Sequence, residues 1–278
     1  MGRRRRALML IAMLLAVPAV QARELRVCAD PNNLPFSKSD GSGFENKIVA
    51  LIAKDLGADV RYTWWAQRRG NVRSTINANE CDVVPGVASG VDMLSTTQPY
   101  YRSTYVFVAK QGSSWTNVSS LDDPRLRDAT IGVQLIGDDG ANTPPAHALA
   151  RRGLHEHIRG YTVYGDYADS TPQKPILDAV ASGEIDLALV WGPTAGYYAK
   201  QAAAPLLLTP VTPWLDGAEP MVFDISMGVR RDDRALRREL DNALEREAPA
   251  IAKILDDYGI PRPSVDPAAA ELPAAAQK

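Results

Sequence analysis

The sequence predicts an α/β protein of two similar lobes joined by two crossover strands. Three observations carry this. Apolar strands alternate with helical segments, which implies parallel pairing through crossover units. The alternation occurs twice, and the copies share a junction. Glu80-Cys81-Asp82-Val83 and Glu184-Ile185-Asp186-Leu187 each place a helix, a tight corner and a buried strand in the same order. Two extended runs, Tyr105 to Lys110 and Asp224 to Arg230, bound the middle of the chain, as expected if it passes to a second lobe and returns.

The elements follow in order. Leu25 to Ala29 is a short buried strand, followed by a loop holding Pro31, Asn32, Asn33 and Pro35. From Phe44, apolar residues recur at helical spacing (Phe44, Ile48, Leu51, Ile52, Leu56) until Gly57 ends the helix. Val60 to Trp64 is the next strand, Gly70 to Asn79 a second helix, and Asp82 to Pro85 a buried strand ending at Gly86. In the second copy, Thr130 to Gln134 is a strand opening into the glycine-rich loop Gly137 to Gly140 and a helix. Ile176 to Ser182 is helical and runs through Gly183 into the strand Ile185 to Trp191. Asp232 and Asp233 cap a helix carrying Leu236, Leu240 and Leu244. Pro249 breaks it, and a last short helix runs to Tyr258 and stops at Gly259. The expected division is residues 23–104 plus 228–260 for lobe one and 111–223 for lobe two. Hinge strands occupy 105–110 and 224–230, and a proline- and alanine-rich tail at 261–278 is expected to be disordered.

The first 22 residues read as a secretory signal peptide: a basic block at Arg3 to Arg6, an apolar core from Ala7 to Val17, and Val20-Gln21-Ala22 at the cleavage site. The apolar run falls well short of the ~20 residues that span a bilayer. Residues flanking the arginines do not complete a twin-arginine signal, so the ordinary export route is expected. The exported chain has no further membrane span. Losing the four arginines moves the formal charge from −2 to −6. A mildly acidic surface argues against a nucleic-acid partner. The two cysteines, Cys28 and Cys81, suit either a disulfide in an oxidising compartment or two buried thiols, since each lies in or beside a core strand.

A family resemblance rests on particular stretches: L-R-V-C-A-D-P-N-N-L-P-F, G-S-G-F-E-N-K-I, C-D-V-V and T-T-Q-P-Y-Y-R-S, followed by T-Y-V-F-V. Together they resemble the type II periplasmic solute-binding proteins, and more closely the branch associated with quinoprotein dehydrogenases, the methanol-oxidation J proteins (MoxJ/XoxJ type). The likeness covers nearly all of the exported chain except the tail. The stretch W-W-A-Q-R-R-G at Trp64 to Gly70 looks more like the lanthanide-dependent subgroup than the calcium-dependent one. The resemblance implies a two-lobed type II periplasmic binding protein fold. It also implies a periplasmic accessory protein that activates or matures a methanol dehydrogenase dependent on pyrroloquinoline quinone (PQQ), with no cofactor of its own.

In an open α/β sheet, ligands sit beyond the C-terminal ends of the strands. In lobe one those ends carry Asp30, Asn32, Asn33, Trp64, Trp65, Gly86 and Ser89, and in lobe two Gln134, Gly137, Asp138, Trp191 and Gly192. Tyr101 and Arg102 lie near the crossover. Amino-acid binders of this fold hold the ligand carboxylate with an arginine in the stretch matching Val87 to Gln98, which contains none here. Where they place an acid for the ammonium, this chain has Trp191-Gly192-Pro193. A zwitterion would be desolvated without partners, so a free amino acid is disfavoured. Trp65 with Arg68 or Arg69 is instead expected to bind a small planar or anionic group. Packing roles for the tryptophans and a solvated face for the arginines are the plainer alternative.

Other chemistry finds little purchase. Asp138-Asp139-Gly140 has the oxygen donors of a hard-cation site but also the look of a helix start. His155 and His157 lack a third ligand nearby, and no metal site is expected. Hydrolase elbows, zinc-protease pairs and phosphate loops are absent from the sequence. Glu45 is pictured as helix-start electrostatics or an inter-lobe hydrogen bond rather than a catalytic acid. Three readings remain: a non-catalytic accessory of a periplasmic dehydrogenase, an ABC-transporter receptor for a small ligand other than an amino acid, and a lyase or dehydratase.

Overall fold

A computed structural model describes residues 23–68, 70–136, 142–163 and 169–263. The chain begins with β1 (Arg23–Ala29), a two-residue ladder of β2 (Asn32–Asn33) and β3 (Ser37–Lys38), and helix α1 (Phe44–Asp55). Then come β4 (Ala58–Trp64), α2 (Asn71–Ser74), β5 (Val83–Ala88), β6 (Ser95–Thr96) and the long β7 (Tyr101–Lys110). The second lobe holds β8 (Ile131–Leu135), α3 (Pro144–Arg151), β9 (Ile158–Thr162), α4 (Pro175–Ser182), β10 (Leu187–Trp191), α5 (Gly192–Ala199) and β11 (Leu206–Pro210). A ladder of β12 (Leu215–Asp216) and β13 (Glu219–Pro220) leads into the return strand β14 (Val222–Val229), and α6 (Arg234–Arg246) and α7 (Ala248–Asp257) follow.

The strand order, β4-β1-β5-β14-β7-β10-β8-β9, explains the two lobes. β4, β1 and β5 are mutually parallel, as are β10, β8 and β9. Between these groups run β14 and β7, antiparallel to each other and to their outer neighbours. β7 changes partner partway along. Tyr101 to Thr104 pair with β14, while Tyr105 onward pair with β10 and β11. That exchange is the crossover between lobes.

Each lobe has its own core. In lobe one, Phe44, Ile48, Val49, Ile52 and Ala53 of α1 pack on Leu25, Val27 and Val83, with Leu240, Leu244, Ile251 and Leu255 closing the layer. The helical spacing from Phe44 therefore reports a real buried stripe. Gly43 caps this helix under the backbone of Phe36, where a Cβ would lie 2.1 Å from the carbonyl oxygen. In lobe two, the sheet is covered on one face by Leu126, Ala148 and Leu149, and on the other by Ile176, Leu177, Val180 and Tyr198.

Several elements differ from expectation, each for a visible reason. β7 starts four residues before Tyr105, because its polar start is satisfied in the sheet. Arg102 pairs with Asp224, Ser103 donates to the Pro261 carbonyl, and Thr104 donates to that of Met221. β5 continues through Gly86 (φ 72°) to Ala88, since only glycine readily takes that left-handed conformation inside a strand. The helix expected over Gly70 to Asn79 is two short turns, α2 and a 3₁₀ turn at Ile76–Ala78, broken at Thr75. Within the segment expected to be disordered from 261, the Pro261 carbonyl accepts from Ser103 and Arg262 pairs with Asp256. The expected signal segment at 1–22 and residues 264–278 lie outside the described residues.

Candidate functional site: an aromatic cleft between the lobes

The ends of β1, β5, β8 and β10 converge on one cleft of about 700 Å³. Five rings line it: Phe36, Tyr101, Tyr105, Trp191 and Phe223. Three of them form a mutually tilted cluster at the crossover, with Trp191 5.1 Å from Tyr105 and 5.7 Å from Phe223 between centroids. Phe223 belongs to β14, Tyr105 to β7 and Trp191 to β10, so strand pairing brings them together. Ala88, Ile136, Val163 and Ile225 add aliphatic wall.

The polar side is a chain of amides that crosses from lobe to lobe. Asn33 donates to Gln67 Oε1 (3.0 Å), and Gln173 donates to Asn33 Oδ1. Gln173 Oε1 accepts from Thr194 Oγ1 (2.9 Å) and Gln134 Nε2 (3.3 Å), and Gln134 Oε1 accepts the Trp191 N–H (2.9 Å). Nearby, Asn32 donates across the lobes to the Asp169 carbonyl (2.6 Å), and Tyr198 donates to that of Leu34 (3.3 Å). Removing Gln173, which is 4% exposed, strands Thr194 and Asn33. Gln173→Ala is expected to cost about 1–3 kcal/mol and let the lobes part, which small-angle scattering reads as a larger radius of gyration. Unchanged scattering and stability would show that this chain does not hold the lobes.

Thr143 donates to the Gln134 carbonyl (2.7 Å), and the acid among the lining groups is Glu45. It sits in the first turn of α1, is 2% exposed, and its Oε1 has no hydrogen-bond partner. It lines the cleft beside Gly86, where a Cβ would lie 2.2 Å from Oε1, so glycine is what leaves the carboxyl its room. Desolvation raises its pKa to about 8. Burial likewise holds Tyr100, Tyr101 and Tyr105 well above the usual phenol range.

Of the residues expected at the cleft, Asn33, Tyr101, Gln134 and Trp191 line it. Others sit nearby but turn to local partners. Asp30 is buried and accepts from the Asn32 and Gln67 backbones, shaping the loop that carries Asn33. Ser89 bonds Ser226 (2.6 Å), and Arg102 forms a two-pronged pair with Asp224 (both 2.7 Å), directly opposite it on β14. Trp64 stacks on Tyr62 (4.4 Å), while Trp65 is 46% exposed; neither they nor Arg68 are among the cleft-lining side chains. Arg69 and Asp138 lie outside the described residues. Cys28 and Cys81 are joined in a disulfide, with Cα atoms 5.6 Å apart.

Phe36, Gln67, Tyr105, Gln173 and Phe223 were not anticipated at the cleft. Tyr105 and Phe223 meet through pairing between distant strands, and Phe36, Gln67 and Gln173 stand in connecting loops, so no local pattern reports them. Glu45 was legible in one respect. It lies three, four and seven residues before Ile48, Val49 and Ile52, and therefore on the buried stripe of α1.

Two lobes with parallel sheets, antiparallel crossover strands and a cleft at the strand ends define a solute-binding protein. Residues 25–259 match the bacterial extracellular solute-binding proteins, family 3, and the chain belongs to that family. It is 33% identical over 253 residues to Protein MoxJ of Methylorubrum extorquens (strain AM1), covering 86% of this chain and 82% of that protein. Among solved structures it resembles the periplasmic binding protein XoxJ from Methylobacterium extorquens AM1 (36% identity, TM-score 0.71, 87% of this chain and 100% of that one). It also resembles MxaJ from Methlophaga aminisulfidivorans MPT (26% identity, TM-score 0.74, 86% of this chain and 100% of that one). Among the described residues, no helix is long and apolar enough to cross a membrane.

Proposed function

We propose that this protein is a periplasmic accessory factor of a PQQ-dependent methanol dehydrogenase, and that it activates or matures the enzyme by binding rather than by catalysis. The observation that carries this reading is the 36% identity to XoxJ along the whole of that chain, joined by the likeness to MoxJ and MxaJ. The cleft supports it. Arg102, the guanidinium nearest the crossover in sequence, is committed to Asp224, so the described walls offer no clamp for an amino-acid carboxylate. The transporter-receptor reading, which needs a dedicated solute clamp, is weaker for the same reason. The lanthanide-type partner is the finer form of the proposal and rests on the Trp64 to Gly70 stretch. The lobe limits read from the sequence, with hinges at 105–110 and 224–230, belong to the same proposal.

The test is a pull-down of the exported protein from periplasm, paired with methanol dehydrogenase assays in cells that carry or lack it. The expected result is capture of the dehydrogenase and a several-fold fall in its activity when the protein is missing. Full dehydrogenase activity without it, and no capture, would end this reading.

A further inference from the structure

We propose that the inter-lobe cleft takes a small organic ammonium cation, held between the Glu45 carboxyl and the ring faces of Phe36, Tyr101, Tyr105, Trp191 and Phe223. The inference goes beyond the accessory role and does not rest on it.

The geometry leaves little else for Glu45 to do. Its carboxyl is buried, its Oε1 is unpartnered, and it lines a cleft large enough for a ligand. The other polar side chains do not compete for it, because the amides of Asn33, Gln67, Gln134 and Gln173 are bonded to one another and to Thr194. Among the described residues that line the cleft, Glu45 is the one acid and there is no lysine, arginine or histidine. An anion would meet no positive charge there. A neutral solute can accept a hydrogen bond from the protonated carboxyl but gives it nothing to ionise for. An ammonium supplies both a donor and a charge, and the negative faces of aromatic rings attract it further.

The chemistry carries a signature. Alone in an apolar wall, Glu45 keeps its proton at neutral pH; beside a cation, the ionised form is favoured and the proton goes to solvent. The groups facing it are Tyr62 on β4, Tyr100 at the foot of β7 and Tyr101 on β7, and burial raises all three phenols above their ordinary range. They stay neutral while Glu45 titrates. Affinity for a cation that stays charged should therefore rise about tenfold per pH unit until pH reaches about 8, then level off.

The experiment compares butylammonium, 1-butanol and butyrate by titration calorimetry on the exported protein, with tryptophan fluorescence as a second readout. At pH 7 butylammonium is expected to bind at least tenfold more tightly than 1-butanol, and butyrate not to bind. Repeating the titration in buffers of different ionisation enthalpy should reveal close to one proton released per cation bound. Glu45→Gln keeps the side chain's shape, and its affinity for butylammonium should fall to that for 1-butanol. Equal binding of the three, no binding of the cation, no proton release, or an unaffected Glu45→Gln would each overturn the proposal. Proton release is read on the unaltered protein, so the outcome does not hang on whether the variant folds. Failure here leaves the dehydrogenase assay untouched, and failure of that assay leaves this titration intact.

Discussion

At pH 7, Glu45→Gln is expected to unfold at higher urea concentration than the unaltered protein, with a gain on the order of 3 kcal/mol that disappears near pH 4. The cause is the raised pKa of the buried carboxyl, about 8 against an ordinary 4.5. Below 4.5 the group is protonated in both folded and unfolded chains and costs nothing extra. Between 4.5 and 8 the unfolded chain ionises it freely while the folded chain must keep the proton. The unfolded state then holds fewer protons, and stability falls by about 1.4 kcal/mol per pH unit. Glutamine has the same outline and cannot ionise, so it removes the slope. The tyrosines facing Glu45 do not titrate in this window and cannot mask the effect. A difference between the two proteins that stays constant from pH 4 to 8 would refute a perturbed carboxyl. A residue whose replacement stabilises the fold is retained for a task other than folding, which is how a ligand-seeking group behaves.

The same helix shows how far local pattern reaches. α1 was legible because helical spacing of apolar residues is a property of the segment itself, and glycine marks its end. The crossover strands were only half legible. Tyr105 to Lys110 is apolar enough to declare itself, but Arg102, Ser103 and Thr104 look like loop until Asp224, Met221 and Pro261 are placed against them. Sequence chemistry found the strand ends and therefore the neighbourhood of the cleft, including Asn33, Gln134 and Trp191. It could not tell which of the neighbouring polar residues turn inward. Asp30, Ser89 and Arg102 are equally polar at equally suitable positions, and each is taken up by a partner far away in sequence or in its own turn. Gln173 stands in an irregular stretch before α4 with no pattern around it, so its place at the centre of the amide chain follows only from the fold.

Reducing the Cys28–Cys81 bridge is expected to lower stability by about 4 kcal/mol, read as a fall in the urea midpoint between oxidised protein and protein treated with dithiothreitol. The magnitude follows from the 53-residue separation, since a cross-link of that span removes a large loop entropy from the unfolded chain. Its position adds a local reason. The bridge ties the end of β1 to the entry of β5, a seam where a single pair, Val27 and Val83, lies in ladder register. Beyond the bridge the seam is held by polar contacts. Asp82 accepts two bonds from Arg26 (2.9 and 2.6 Å) and one from Arg230 (2.8 Å), which also bonds the Cys81 carbonyl. Ile76, Val84 and Leu94 pack around the sulfurs, so the reduced thiols stay buried and the fold need not collapse. Loosening should instead spread along β5 to Gly86 and Ala88, which line the cleft beside Glu45. The reduced protein should then lose cation affinity by a larger factor than its stability loss alone explains, and faster amide exchange at Gly86 and Ala88 should accompany it. An unchanged urea midpoint after complete reduction would mean that the packing around the sulfurs, and not the covalent link, holds β1 to β5.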